Sequence, residues 1–567
     1  RAGKVWKVKL PTPPHLPDPP NFQKGALIME KEVFTEEEKV LLKKHVTDIE
    51  NPIYCIKNLP EEVVAVLFAY VSRSPNSFKR NLLKLLGSGD LNLDVNKVSD
   101  MYGDAASMQE AKQKAMKFHE KWVVGYGHGS VAEHASIKFA IDKLSIVATK
   151  ILEDNRLGSY TEKSTRYQVF DKNVFYWDPK LMSSEFQGEV RELVHLLFDT
   201  YEKFLPIVTE KVKAKNPRDV EVNERAYENS IKAKVCDVIR YLLPAGTLTA
   251  MGFTFNARAA EHAIRKLLSH PLTEAREVGQ KLLEEGSKIC PTLLQFAGHN
   301  NFISETNKEM KKLSQSILKK DVQTTLSGAK TSEDPNIKPV KTICVDENAE
   351  DKIIAAILYE HSQLSFNDVY SEVKALPREE KEKVFDEYVK RRGAFDRPMR
   401  AWEHAFFTTE IVCDYGAFRD IQRHRMNTQT NQIFNTHLGY EIPDEITEFG
   451  LKEEYVAVME KARTLYEKLE TKFPYEAQYF IPLAFRVRVL FRWNLRELEH
   501  FIRLRSSVQG HISYIKIARL CWAEIDKKYP LLAKYITLNM DEEYLGRLRG
   551  EIETQKKMDK VKEKYGD

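Results

Sequence analysis

Carboxylate, hydroxyl and guanidinium side chains alternate in one short stretch of this 567-residue chain, Glu162-Lys163-Ser164-Thr165-Arg166. In an extended segment, residues two apart point to the same side, so Glu162, Ser164 and Arg166 would share one face. That face is suited to a polar ring that carries a phosphate, because guanidinium groups bind phosphate through charge-assisted hydrogen bonds. A surface loop would contain the same residues, so both interpretations stay open.

A second group of cationic residues, Arg423-His424-Arg425, is predicted to end a helix that begins near Tyr415. Three successive helical side chains diverge by about 100° from one to the next, so they cannot all pair with one carboxylate. Adjacent cations favour polyanionic surroundings such as phosphates. A solvated basic cluster would have the same sequence, so the tripeptide alone does not decide between the two.

The helix predicted to start at Asn494 carries an arginine in line with apolar residues. At helical spacing one stripe contains Asn494, Leu498, Phe501 and Arg505. A guanidinium on a buried stripe needs a partner, and a phosphate or a uracil-like carbonyl edge can supply it. The matching stripe in the first half of the chain has no cation and is predicted to be core; it consists of Asn256, Ala260, Ala263 and Leu267.

Two further polar residues are candidates for ligand binding. Arg240 lies four residues before Pro244, and the corresponding residue in the second half is Gln478. His128 lies between two glycines, which allow a ligand to approach the backbone closely. A single histidine in a loop is equally compatible with a structural role.

The motifs occur twice in the same order, once in each half of the chain. Glu133-His134 aligns with Glu403-His404, and Leu243-Pro244 aligns with Ile481-Pro482. Asn256-Ala257-Arg258 likewise aligns with Asn494-Leu495-Arg496. The spacing between the copies drifts along the chain, which indicates a two-copy duplication and not a short-period solenoid.

Hydrophobic periodicity predicts the elements that position these residues. Residues 454–472 place apolar side chains at helical spacing and are predicted to form an amphipathic helix. Residues 136–140 and 405–412 are rich in β-branched and aromatic residues and are predicted to be strands. The mixture favours the α+β class. We predict a proline-rich arm (1–45), a first repeat (46–297), a linker (298–340), a second repeat (341–540) and a charged helical tail (541–567).

Composition excludes several classes of protein. Charged residues make up 30% of the chain but the net charge is only +4, so no dedicated nucleic-acid surface is expected. The six cysteines form no Cys-x-x-Cys pair, which indicates neither a disulfide framework nor a zinc site and favours a reducing, cytoplasmic setting. No apolar run reaches the roughly 18 residues of a membrane span.

At these motifs the chain resembles the flavin-dependent thymidylate synthases. That family has a Gly-His-x-Ser/Thr-x-x-Glu-His segment, then Arg-His-Arg, Asn-Glu-x-Ser-x-Arg-Tyr, Arg-x-x-Leu-Pro and Asn-x-Arg-x-x-x-x-Phe-x-x-Leu-Arg. The first half keeps His128, Ser130, Glu133, Ser159, Glu162, Ser164, Arg166, Tyr167 and Arg240. The second half keeps Arg423, His424, Arg425, Asn494, Arg496 and Arg505. Each half has lost mainly the residues that the other retains, and this favours a functional protein over a decayed copy.

The resemblance implies two tandem copies of the family fold, with FAD as cofactor, NADPH as hydride source and methylenetetrahydrofolate as one-carbon donor. The family's reaction is the reductive methylation of dUMP to dTMP, and no cysteine nucleophile is needed. Its members are homotetramers whose active sites are shared between subunits. We therefore expect this chain to form a homodimer that imitates the tetramer, with its functional sites composed from both repeats.

The resemblance also implies a role for each matched residue. Residues of both repeats are expected to hold the nucleotide: Glu162, Ser164, Arg166, Arg240, Arg423 and Arg505. The expected flavin contacts are His128, Ser130, Glu133, Arg423, His424, Arg425 and Asn494. Catalysis is assigned to Arg505, Ser164 and Glu162, and no metal is expected.

One departure from the family pattern affects the substrate. The family usually has Gln three residues before Arg-His-Arg, where this chain has Asp420. A carboxylate near a nucleotide phosphate is repulsive unless it is paired, and Arg419 and Arg423 are the expected partners. The alternatives are therefore a flavoenzyme acting on another pyrimidine nucleotide, for example by hydroxymethyl transfer, a non-catalytic flavin- or nucleotide-binding protein, and a scaffold without a ligand.

Overall fold

The computed structural model describes residues 32–71, 74–87, 129–318, 337–393 and 396–566. The described residues form two compact units, one within 32–87 and the other from 129 onwards. The first unit contains helices α1 (Glu36–His45), α2 (Glu61–Val71) and α3 (Phe78–Gly87). Helix α1 begins at a capping box in which the Thr35 hydroxyl accepts a hydrogen bond from the backbone of Glu38, and the Glu38 carboxylate accepts one from the backbone of Thr35.

The first repeat in the second unit alternates short strands with helices. Its elements are β1 (Ser136–Ser145), α4 (Ile146–Glu153), β2 (Gly158–Glu162), α5 (Pro179–Met182), α6 (Gln187–Lys215), α7 (Glu224–Ile239), β3 (Leu248–Asn256), α8 (Ala257–Leu268) and α9 (Thr273–Ser287). Helix α10 (Asn301–Ile317) follows and has no buried residue. The strands form an antiparallel sheet in the order β1-β3-β2.

The second repeat has a similar order of elements, with additions and with two helices instead of three between its last two strands. It comprises β4 (Val340–Val345), α11 (Ala349–Glu360), α12 (Phe366–Ala375), α13 (Arg378–Val389), β5 (Phe406–Asp414), α14 (Tyr415–Ile421), β6 (Asn427–Asn431), α15 (Asp444–Glu448), α16 (Lys452–Leu469), β7 (Arg486–Asn494), α17 (Leu495–Arg505), α18 (Ile512–Lys528), α19 (Pro530–Ala533) and α20 (Leu548–Tyr565). Its sheet has the order β4-β5-β7-β6, so β5-β7-β6 corresponds to β1-β3-β2.

The two repeats join through the segments that align with each other in sequence. Leu483 N donates to Leu243 O at 2.9 Å, and Ala245 N donates to Ile481 O at 2.9 Å. Each of these bonds is the counterpart of the other under the alignment of Leu243-Pro244 with Ile481-Pro482. The repeats therefore face each other with the same surface, as the subunits of a symmetric dimer do.

Several sequence-based predictions about elements are confirmed. The α+β class holds, and the helix predicted over 454–472 is α16, whose seven periodic apolar residues from Tyr455 to Leu469 are all buried. The strands predicted over 136–140 and 405–412 lie in β1 and β5. The prolines of residues 11–20 lie outside the described residues.

Two local predictions were wrong. Strand β2 ends at Glu162, and residues 165–167 form a turn, so Glu162, Ser164 and Arg166 are not on one extended face. Helix α14 ends at Ile421, so Arg423-His424-Arg425 follows the helix in a turn and does not close it. Within the described ranges, none of the helices has both the length and the hydrophobicity that crossing a lipid bilayer requires.

Candidate functional site

Two arginines of the second repeat converge on the carboxylate of Asp420. Arg423 Nη2 donates to Asp420 Oδ1, and Arg505 Nη1 lies 3.5 Å from the same oxygen. Arg505 Nη2 also donates to the backbone oxygen of Asp420 at 2.8 Å. Burial alone would raise the pKa of Asp420, but Arg423 and Arg505 hold it well below its usual range. The carboxylate is therefore charged and shared between two guanidinium groups.

His424 is buried behind this pair and is held neutral. Its Nε2 accepts a hydrogen bond from Arg505 Nε at 2.9 Å, which assigns the proton to Nδ1, 3.4 Å from Glu497 Oε1. Burial, followed by the charges of Arg505 and Arg423, lowers the pKa of His424 well below its usual value. His424 thus orients Arg505 from the side opposite Asp420.

Arg166 of the first repeat reaches the same region. Its guanidinium makes a bidentate pair with Asp237, at 2.7 Å and 2.8 Å, and Nη1 donates to Tyr514 Oη at 2.6 Å. The turn that carries it is closed by Ser164, whose hydroxyl accepts a hydrogen bond from Arg166 N at 3.1 Å. Since Tyr514 belongs to the second repeat, this contact joins the two halves of the site within one chain.

The ring of Tyr514 lies between the arginines of the two repeats. The Cζ atom of Arg166 is 5.5 Å from the ring centroid and that of Arg505 is 5.2 Å from it. Both distances are within the range of cation–π attraction. Arg166 and Arg505, which the sequence assigns to opposite halves, therefore both lie close to one tyrosine ring.

Arg240 is the most deeply buried cation of the group, with 1% of its surface exposed. Its Nε and Nη2 atoms have no hydrogen-bond partner among the described residues. The carboxylate of Asp414 acts on it electrostatically, and burial raises the pKa of Asp414 to about 6 while Arg240 opposes that rise. Burying guanidinium donors without partners is costly, so the geometry favours a ligand that accepts their hydrogen bonds.

Glu162 is held by cations from both repeats. Its Oε1 accepts a hydrogen bond from Arg419 Nη2 at 2.5 Å, and Lys150 Nζ lies 3.5 Å from its Oε2. Burial alone would raise the pKa of Glu162, but Arg419 and Lys150 lower it. Arg419 also donates to Thr165 Oγ1 at 3.0 Å. Of the two alternative partners predicted for Asp420, Arg423 is the one that pairs with it, and Arg419 binds Glu162 instead.

The residues assigned to the cofactor occupy three places. Arg423 and His424 belong to the arginine cluster just described. Glu133 and Arg425 line a cavity of about 750 Å³ between the repeats. Its cationic lining residues are Arg156, Arg258, Arg265, Lys266 and Arg425. Ser130 is exposed, Asn494 caps α17 and donates to Met426 O at 2.9 Å, and His128 lies outside the described residues.

Glu133 and Arg425 have defined partners in the cavity wall. Glu133 Oε1 lies 2.5 Å from Arg258 Nη1, and the equivalent pair in the second repeat is Glu403 with Arg496 at 2.8 Å. Arg425 Nη1 donates to Arg156 O at 3.0 Å, across the boundary between the repeats. The cavity wall is therefore made by both halves of the chain.

Sequence reasoning did not identify Asp237 and Tyr514 as parts of the site. Neither belongs to a motif, and each gains its role only because helices α7 and α18 bring it to Arg166. The only sequence signal was their position on helices next to motif residues, since α7 leads into Arg240 and α18 follows Arg505.

The comparison with known families agrees with the two-repeat arrangement. The family described as Thymidylate synthase complementing protein matches residues 87–292 and 344–531. A UPF0159 protein of Chlamydia pneumoniae is 34% identical over 537 residues, which cover 93% of this chain and 99% of that protein. A UPF0159 protein of Thermoplasma acidophilum is 29% identical over 480 residues, covering 78% and 93% of the two chains.

A more distant relative carries a functional name. The flavin-dependent thymidylate synthase of Pyrococcus furiosus is 31% identical over 185 residues, which cover 32% of this chain and 67% of that protein. Matches to the family in two separate regions, together more than half of the sequence, establish the relationship. The chain belongs to the thymidylate synthase complementing protein family, as two family-like repeats in one polypeptide.

Proposed function

We propose that this protein is a flavin-dependent thymidylate synthase that methylates dUMP at a site composed from its two repeats. The observation that supports it is the meeting of Arg166 and Arg240 of the first repeat with Arg423 and Arg505 of the second, around Asp420. No single repeat has this set of cations. Their combination suits the phosphate and carbonyl oxygens of a pyrimidine nucleotide.

Membership of the family implies FAD as the cofactor, and the residues present fit it. The cavity of about 750 Å³ has five cationic and four acidic lining residues, and its guanidinium groups can donate hydrogen bonds to the pyrophosphate of a dinucleotide. We assign the binding of FAD to Glu133 and Arg425 in its wall, to Arg423 and His424 beside it, and to Ser130, His128 and Asn494. When bound, FAD supplies hydride transfer from NADPH to the one-carbon unit.

The remaining chemistry is the positioning of the nucleotide by this chain's own residues. Arg166, Ser164 and Arg240 are proposed to hold the phosphate and ring from the first repeat, with Glu162 kept charged by Arg419. Arg423 and Arg505 are proposed to polarise the ring carbonyls from the second. Because His424 is neutral and accepts from Arg505 Nε, the Arg505 guanidinium is fixed in one orientation toward the substrate.

The overall reaction balances without a protein nucleophile. The methylene group of methylenetetrahydrofolate and a hydride from NADPH form the methyl group at C5 of dUMP, and the C5 hydrogen leaves as a proton. The two folate nitrogens that release the methylene group take up two protons, so one proton is consumed overall. The products are dTMP, tetrahydrofolate and NADP⁺. Burial raises the pKa of Cys236 to about 12, and that of Cys413 is raised well above its usual value, so these thiols are not nucleophiles.

The direct test is an assay of the purified full-length protein with FAD, NADPH, methylenetetrahydrofolate and dUMP. We expect dTMP to form and the yellow chromophore to be bleached by NADPH and restored by turnover. Arg423→Ala and Arg166→Ala should each abolish dTMP formation. Bound flavin that NADPH bleaches without any product would contradict the proposed reaction, and flavin that NADPH does not bleach would indicate a non-catalytic binding protein.

Asp420 favours a second candidate, a flavoenzyme that acts on another pyrimidine nucleotide. A carboxylate accepts hydrogen bonds from the exocyclic amine of cytosine, whereas uracil presents a carbonyl oxygen at that position. Comparing dCMP with dUMP as substrates, and analysing products for methyl and hydroxymethyl groups, distinguishes the two candidates. A preference for dUMP with a methylated product excludes the second.

The proposed assembly is a homodimer, in which two chains replace the four subunits of the family. Sedimentation equilibrium of the purified protein tests it, with twice the 65.7 kDa chain mass expected. A monomer that retains full dTMP synthesis would show that the site needs no second chain.

A further inference from the structure

The segment that precedes helix α20 packs against the arginine cluster, although no motif covers it. The ammonium groups of Lys215 and Lys234 lie over the ring of Tyr544, 4.6 Å and 4.3 Å from its centroid. Asn229 Nδ2 donates to Glu551 Oε2 at 3.2 Å. These contacts attach the segment to helices α6 and α7, and α7 carries Asp237.

Arg547 lies at the point where this segment reaches the site. Its Cζ atom is 3.8 Å from the ring centroid of Tyr167, and Arg166 Cζ is 6.0 Å from the same centroid. The Arg547 Nη1 atom is buried and has no hydrogen-bond partner among the described residues. Its nearest carboxylate, Glu551, is 3.8 Å away in the ion pair the structure shows. Tyr167 thus lies between two guanidinium groups.

The two guanidinium groups near Tyr167 are paired to different extents. Arg166 makes a bidentate pair with Asp237, whereas Arg547 is paired with Glu551 through Nη2 alone and its Nη1 has no partner among the described residues. Burial, and then repulsion by Arg166, lower the pKa of Arg547 to about 10. A phosphate monoester offers three oxygens and up to two negative charges, so it can accept from two neighbouring guanidinium groups at once.

We propose that Arg547 is a further substrate-binding residue, which binds the phosphate of the nucleotide together with Arg166. The C-terminal segment then completes the nucleotide site. The inference rests on the proposed function for the identity of the ligand, and on the geometry around Tyr167 for the place of its phosphate. The Tyr167 ring fixes the plane of Arg547, so that the buried Nη1 stays available.

The test measures binding to the full-length flavin-loaded protein by calorimetry, with dUMP and deoxyuridine as probes. Arg547→Met keeps an apolar stem over Tyr167 and removes the charge. We expect the dissociation constant for dUMP to rise roughly 10- to 100-fold, since a charge-assisted hydrogen bond is lost, with deoxyuridine binding unchanged. Arg547→Lys should lie between the wild type and Arg547→Met, because it retains the charge but not the planar fork.

The matched control is Arg549→Met, two residues along the same segment. Its side chain is 72% exposed and its carboxylate neighbour Glu553 is 3.7 Å away. This variant should bind dUMP as the wild type does. Equal effects of the two methionine variants on dUMP binding, or equal weakening of dUMP and deoxyuridine by Arg547→Met, would overturn the inference.

Binding of inorganic phosphate tests the role of Arg547 independently of the proposed function. If the wild type binds no dUMP, the proposed function fails, and phosphate becomes the probe for Arg547. Weaker phosphate binding to Arg547→Met than to Arg549→Met then still supports an anion site at Arg547. Unchanged phosphate binding contradicts the site whatever the substrate is.

Discussion

At the scale of single residues, Asp420 lowers the net positive charge that an anionic ligand would meet at the arginine cluster. Its carboxylate is shared by Arg423 and Arg505, so the three groups together keep one positive charge. Arg240 lies beside the carboxylate of Asp414 but keeps two donors without a partner among the described residues. The cluster therefore remains attractive to an anion even though an acidic residue stands where the family usually has Gln.

Replacing Asp420 with Asn tests this electrostatic role directly. The variant removes one negative charge and frees both guanidinium groups, so we expect the dissociation constant for dUMP to fall about tenfold or more, with a smaller change for deoxyuridine. Unfolding temperature should decrease, because two buried cations lose their carboxylate. Weaker dUMP binding, measured by calorimetry at constant salt, would mean that Asp420 contacts the substrate favourably.

The sequence identified most residues of the site but not their geometry. The alternation of Glu162, Ser164 and Arg166 predicted an extended face, yet the Ser164 hydroxyl bonds the backbone of Arg166 and closes a turn. Such a local bond competes with strand pairing and has no periodic signature. Asp237 and Tyr514 could not be predicted, because each contacts Arg166 only through the packing of helices distant in sequence.

At the scale of elements, the helices that follow β1 and β5 begin with N-cap residues of different kinds, a serine in one repeat and an aspartate in the other. Ser145 caps α4, and its hydroxyl donates to Glu274 at 2.5 Å. Asp414 caps α14, and its carboxylate accepts from Ser513. One repeat has the hydroxyl at the cap and the other has the carboxylate there. Burial raises the pKa of Glu274 to about 7, so its proton is retained when most carboxylates are ionised.

The raised pKa makes Glu274 a source of pH-dependent stability. The pKa of Glu274 in the folded protein lies above the unfolded value of 4.5. The contribution of Glu274 to the free energy of unfolding is therefore fully present below about pH 4.5 and is lost as the pH rises through about 7. Glu274→Gln does not ionise; its oxygen can accept from Ser145 N while its amide nitrogen donates to Ser145 Oγ. Compared with the wild type, we expect equal stability at pH 4.5 and a gain of up to about 3 kcal/mol at pH 8.

Thermal or urea unfolding of both proteins between pH 4.5 and 8 measures this difference. Glu277→Gln, at an exposed position on the same helix, serves as the control. A stability difference between Glu274→Gln and the wild type that does not change with pH would show that the Glu274 carboxylate is ionised throughout.

A helix could be predicted from the sequence where its hydrophobic periodicity alone determined it. Helix α16 has one buried and one exposed face, and all of its seven predicted core residues are buried. The end of α14 was not predictable in this way. Gln422 donates to Lys150 O at 2.9 Å, and Asn427 donates to His424 O at 2.6 Å. Side-chain hydrogen bonds of Gln422 and Asn427 therefore hold the chain where it leaves the helix at Arg423-His424-Arg425.

At the scale of the whole molecule, the proposed composite site requires the two repeats to divide one set of residues between them. The joined segments around Pro244 and Pro482 place the repeats face to face, so each half can lose residues that the other supplies. The order of motifs predicted this division, because the losses in the two halves avoid each other. The bonds across the boundary, such as that from Arg419 to Glu162, required the three-dimensional structure.

The division predicts one nucleotide per chain. At the reciprocal position, all four arginines are replaced: Asn435 aligns with Arg166, Gln478 with Arg240, Asp154 with Arg423 and Leu267 with Arg505. Leu267 is buried in the core, and Asp154 is paired with Lys266 at 2.8 Å, so neither is available to an anion. Equilibrium dialysis with radiolabelled dUMP should therefore saturate at one nucleotide per polypeptide.

Arg423→Ala distinguishes one composite site from two independent ones. If both repeats bound nucleotide separately, losing Arg423 would halve the capacity and leave the first repeat unaffected. In a composite site the same substitution removes binding from the whole chain at concentrations that saturate the wild type, as Arg166→Ala in the other repeat should do. A capacity of two per chain, or a half-capacity in either variant, would contradict the sharing of one site by the two repeats.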